Sequence, residues 1–175
     1  MASDAVSAEA DADADADAEW DPDEHVRFAR YRRAFDEVAP ADAAALVARV
    51  LTDPDRGMAN SAVCEYLGRR AAELLVDPGY PSWCREMTGA VAVDDFSARR
   101  LGEWTLLRAM TLDEPWDTES LLAASNWLQL HTAEESSAAA VLDVLVEGGR
   151  TRRIRNIAKS RLSALQRSTR AGSGR

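Results

Sequence analysis

"GGRTRRIRNIAKSRL", Gly148 to Leu162, reads as the end of one helix and the start of another. Two glycines halt the helical pattern before them. Thr151 can cap the second helix, in which Ile154, Ile157, Ala158, Leu162 and Leu165 return at helical spacing along one side. The same stretch crowds Arg150, Arg152, Arg153 and Arg155 around the first turn, where the helix dipole disfavours cations. A chain of net charge −9 thus puts its densest positive charge at the end of a helix least suited to it.

Stripes of the same period recur outward from this segment. Asp21, Pro22 and Glu24 make a helix start with capping-box spacing, and Phe28, Tyr31, Phe35 and Val38 continue from it as one apolar line. Pro40 opens a second helix with Leu46, Val47, Val50 and Leu51 inward, and "DPD" at 53–55 opens a third carrying Val63, Leu67, Ala71 and Leu74. "DPGYP" at 77–81 ends it. A short helix is expected over Ser82–Val93, then one opened by Asp94 or Asp95 that buries Phe96, Leu101, Trp104 and Leu107. Leu121, Ala124, Trp127 and Leu128 mark the next, and a capping box of Thr132 and Glu135 starts another through Val141, Val144 and Leu145. With no convincing strand, the expectation is an all-α protein: about eight helices as antiparallel hairpins, in a regular stack or an irregular bundle.

Composition sets the organisation. "EADADADADAE", Glu9 to Glu19, alternates acid with alanine, which suits neither a strand face nor a core, so residues 1–20 are expected to form a disordered acidic tail. Residues 21–167 then make a single helical domain, and residues 168–175 a disordered basic tail. Residues 1–24 hold ten acids and no base, whereas residues 150–175 hold nine bases and no acid. No run of eighteen apolar residues exists, and the acidic N-terminus lacks the pattern of a secretory signal, so a cytoplasmic protein is expected. Cys64 and Cys84 read as small buried thiols, since a disulfide framework or zinc site needs more ligands at closer spacing.

Three segments look alike: "SAVCEYLGRRAAELL", "SARRLGEWTLLRAM" and "RRIRNIAKSRLSAL". The pairs Leu67-Gly68 and Leu101-Gly102 share a setting of small residues, and the third segment lacks the pair. The pattern resembles the second helix of HEAT-like repeats, covering residues 40–167. That resemblance implies a right-handed stack of helical pairs that binds partners through its surface, with small residues where paired helices approach closely. The tryptophans beside acids also resemble the alkylpurine DNA glycosylases built on such repeats, with Asp113 or Asp117 in the place of the acid.

Read from the residues, no motif identifies a reaction. No glycine-rich phosphate loop is present, and His25 and His131 stand without a serine or cysteine nucleophile pattern. No catalytic residue, metal site, cofactor, membrane contact or small-molecule substrate is expected. The reading is a non-enzymatic adaptor or regulator. Arg150, Arg152, Arg153, Arg155 and Lys159 form its electropositive contact, and Trp83 or Trp116 its apolar anchor. The partner is expected to be an acidic protein. Nucleic acid is the alternative, and the chain's own acids, including its tail, are the competing claim on the arginines.

Overall fold

A computed structural model describes residues 21–172, with side chains as far as residue 168. The acidic tail and residues 173–175 lie outside the described residues. Nine α-helices and one 3-10 turn succeed one another among the described residues, with no strand. They are α1 (Glu24–Glu37), a 3-10 turn (Pro40–Asp42), α2 (Ala43–Val50), α3 (Arg56–Leu74) and α4 (Tyr80–Val91). Then come α5 (Asp95–Thr111), α6 (Thr118–Ala123), α7 (Asn126–Glu135), α8 (Ala139–Gly148) and α9 (Arg152–Gly172). None of them is long and apolar enough to cross a membrane. The chain forms two compact units: one takes in the described part of Met1–Arg70 with Arg85–Ala98, the other Ala71–Cys84 with the described part of Arg99–Arg175.

In the first unit the expected stripes bury Tyr31, Phe35, Leu46, Val47, Val50, Val63 and Leu67. Phe35 stacks on Tyr66 at 4.6 Å. The start of α1 differs from the expectation. Asp23, not Asp21, is the cap, accepting from the His25 N–H at 2.8 Å, while Asp21 closes a turn on the Asp23 N–H at 2.9 Å. The Asp21 carbonyl is engaged by the Arg27 guanidinium, which holds this residue outside the helix.

Arg27 is itself buried, paired to Asp53 at 3.0 Å, and Tyr31 donates to the same carboxylate at 2.9 Å. Asp53 also accepts the Asp55 N–H at 2.8 Å, so the loop before α3 is tied to α1 by one satisfied carboxylate. Burial would raise the Asp94 carboxyl; hydrogen bonds from Ser97 and Asn60, with the Arg56 charge, outweigh it and hold the group below the ordinary range. Phe96, expected inside, is 43% exposed one residue into α5.

In the second unit α9 packs on α8 and α7, and α8 packs on α6 and α7. Leu101, Trp104, Leu107, Leu121, Leu128, Val141, Leu142, Leu145, Ile154 and Ala158 are buried. The helix expected around residues 121–128 is two helices: α6 ends at Ala123, and Ser125 caps α7 by accepting the Leu128 N–H. Thr132 therefore lies inside α7 and caps nothing, and the break before α8 falls at residues 136–138. α9 continues to Gly172, beyond its last apolar stripe position and into the segment expected to be a tail.

Two glycines separate different physical demands. A Cβ at Gly149 would stand 2.5 Å from the Leu145 carbonyl oxygen and 3.0 Å from Ile154, so only glycine fits there. A Cβ at Gly102, by contrast, would meet nothing within 4 Å, so no neighbouring helix comes close at this position. A glycine in a helix interior costs backbone entropy. Gly102→Ala is therefore expected to stabilise the protein by about 0.5–1 kcal/mol in urea melts.

Tyr80 is 2% exposed, shares a hydrogen bond with Thr105 at 3.2 Å and lies under the Arg108 guanidinium. Burial pushes its phenol up to about 12, against the lowering effects of Thr105 and Arg108. A raised folded-state value means the unfolded chain loses this proton first, so the stabilisation is complete below pH 10.0 and is lost as pH rises from there to about 12. Urea melts across that range should show stability falling, and Tyr80→Phe should flatten the fall.

Candidate functional site: the cationic start of the last helix

α9 begins where α6 and α8 end, and its middle passes the end of α7. Thr151 caps it, accepting the Ile154 N–H at 3.2 Å, as the sequence leads one to expect. The last carbonyls of α6, α7 and α8 are helix ends with no intrahelical donor, and each carries partial negative charge. Arginines from this region reach all three. Arg150 donates to the Ala123 carbonyl at the end of α6, at 3.4 Å. Arg155 donates to the Gly149 carbonyl beyond α8. Arg161 donates to Glu135 at 3.1 Å and to Ser136 at 3.0 Å, at the end of α7.

The expected cluster thus divides by what each residue touches. Arg150 and Arg155 bond to backbone, and Arg153 lies 3.8 Å from Glu134 in a pair whose side chains are both well exposed. An exposed pair of that length contributes little. Arg152 and Lys159 are exposed, and their side chains make no hydrogen bond or ion pair with any described residue.

Gln129 organises this corner and carried no signal in the sequence. It is 0% exposed, donates to the Leu121 and Leu122 carbonyls at 3.0 and 2.9 Å, and accepts the Arg150 N–H at 2.8 Å. One side-chain amide therefore holds the end of α6 and the entry to α9. Glu103 adds a second tie from α5, accepting the Ser125 N–H at 2.7 Å between α6 and α7. Gln129→Leu strands two carbonyls and an N–H, so a loss of about 2–4 kcal/mol is expected by denaturant titration.

The tryptophans fall into distinct settings. Trp83 lies in the first turn of α4 and is 8% exposed, edge-on to Tyr80 at 5.4 Å, so it is not on a projecting loop. Trp104 is buried. Trp127 is half-buried, between the Arg100 guanidinium 3.9 Å above its ring and the stacked His131 imidazole. Trp116 is half-buried and, with Pro115, edges a groove of about 570 Å³ whose walls include Leu106, Ala109 and Ala123. Gly102 lies in the same wall, and Ala123 is the residue whose carbonyl Arg150 holds.

Of the acids considered for chemistry, Asp117 is the cap of α6: hydrogen bonds from the side chain and N–H of Ser120 hold its carboxyl below the ordinary range. Among the described residues no group of three His, Cys, Asp or Glu is placed to hold a metal ion, and both cysteines are outside any disulfide and half-buried. Compared with protein-family models, curated proteins and solved structures, the chain has no significant match to any of them.

Proposed function

We propose that this chain is a non-enzymatic adaptor or regulator that binds an acidic segment of another protein through the exposed face of α9. The single observation behind this reading is that Arg152 and Lys159 stand exposed and unpaired among the described residues, beside arginines already engaged with backbone. Arg152 sits at the first position of α9, where the dipole repels it, so a carboxylate arriving there gains an arginine fork and relieves that repulsion. Arg153 joins them once its long contact with Glu134 is exchanged for a better one. Arg150 links this face to the Trp116 groove through Ala123, so the fitting ligand carries acids beside an apolar side chain. The HEAT-like resemblance supports a surface-binding role of the same kind.

The test is charge reversal that spares the structural arginines. Arg152→Glu with Lys159→Glu should leave the urea midpoint no lower, because neither side chain has a partner among the described residues and an acid suits the start of α9 better than an arginine. A protein captured by the native chain, purified and rebound should lose at least about tenfold in affinity to this variant, and more as salt is lowered. Equal affinity for both chains overturns the reading. A captured partner that proves to be nucleic acid replaces it with the alternative.

A further inference from the structure

A separate recess of about 500 Å³ opens in the second unit, lined by Leu107, Met110, Asp113, His131, Thr132 and Glu135, among others. Three helices end on it. Leu75 lies just beyond α3, Thr111 is the last residue of α5, and Glu135 is the last of α7, and all three line the space. A helix C-terminus carries partial negative charge, which a cation nearby can meet. The carboxylates of Asp113 and Glu135 add to it, and neither makes an ion pair with a described residue.

The chain already meets two of these ends with cations. Arg108 donates to the Leu75 carbonyl, and Arg161 to those of Glu135 and Ser136. After α5 the corresponding place holds an acid instead. Asp113 is left-handed, with φ 55°, while the Glu114 N–H closes on the Ala109 carbonyl at 2.9 Å. Glycine or asparagine is the ordinary choice there, and a negative side chain at a helix C-terminus is opposed by the dipole. Independently, Thr132 is 1% exposed, lines the recess, and has a hydroxyl with no hydrogen-bond partner. A buried hydroxyl left unpaired in the free chain calls for one from outside.

The geometry points to a binding site for a small organic amine with an apolar body. Its ammonium group sits between Asp113 and Glu135 near the end of α5, the one of the three that neither Arg108 nor Arg161 meets, its apolar part lies against Leu107 and Met110, and Thr132 gains a partner. The lining supplies acceptors and apolar surface; with Arg108 and Arg161 spent on the carbonyls of Leu75, Glu135 and Ser136, the charges left without an ion pair among the described residues are the carboxylates of Asp113 and Glu135, which suits a cation. This inference stands apart from the α9 reading.

The probes are n-hexylamine and tryptamine, with 1-hexanol and 3-ethylindole as neutral counterparts, each titrated against the amide and methyl chemical shifts of the full chain. The amines should give saturable shifts at Thr111–Asp113 and His131–Ser136, and the neutral compounds should bind at least about fivefold more weakly. Asp113→Gly removes the carboxylate yet suits the left-handed backbone, so it should melt no lower than the native chain while losing about five- to tenfold in amine affinity. Thr132→Val should likewise fold normally and bind more weakly. Absence of shifts up to about 10 mM amine, equal binding of the neutral compounds, or undiminished binding by a folded Asp113→Gly protein each overturns the site.

Discussion

A helix that ends inside a protein leaves carbonyls without donors, and the second unit is arranged around meeting that need. α6 has six residues and α7 and α8 ten each, lengths too short to persist as isolated helices. They hold because their ends are tied from outside. Gln129 bonds to the last turn of α6, and Arg150, Arg155 and Arg161 reach the ends of α6, α8 and α7. Arginine suits this work better than lysine, since its planar fork offers several donors at once and Arg161 uses two on adjacent carbonyls.

This arrangement explains two of the four arginines at the start of α9, Arg150 and Arg155. Charge there opposes the dipole of α9 itself by a few tenths of a kcal/mol per residue, but Arg150 and Arg155 complement the C-terminal ends of α6 and α8 by about as much, and add hydrogen bonds. The balance favours the arginines that reach a carbonyl. It does not favour Arg152, which has the unfavourable position without a carbonyl in return. A local conflict with no compensation inside the chain marks the residues most available to something outside it.

What the sequence made legible was whatever is periodic or locally capped. The stripes of α2, α3, α5 and α9 were readable because burial repeats at helical spacing, and Asp94 and Thr151 because a cap sits three residues before the N–H it meets. The illegible parts depend on partners far along the chain. Arg27 finds Asp53 twenty-six positions away, and Gln129 meets the Arg150 N–H across twenty-one. The split between α6 and α7 comes from Gln129 and Glu103, neither of which is a breaker by type. Thr132 misled because threonine with Glu135 three positions on has the spacing of a cap, yet the helix was already under way from Ser125. At the candidate site the identity of the cations was plain from composition; which of them the fold had already engaged was a matter of geometry alone.

The two ends of helix marked by Gly149 and Asp113 invert the usual assignment. Gly149 has φ −55°, a backbone that any residue can adopt, and it is glycine only because Leu145 and Ile154 leave no room for a Cβ. Asp113 has φ 55°, where glycine is the natural choice, and it bears a charge that the end of α5 disfavours. The fold uses its glycine where space is short and leaves the strained position to an acid. Stability alone favours glycine at residue 113, although aspartate tolerates this backbone better than most residues, and the proposed amine site would give its carboxylate a use that the helix end does not.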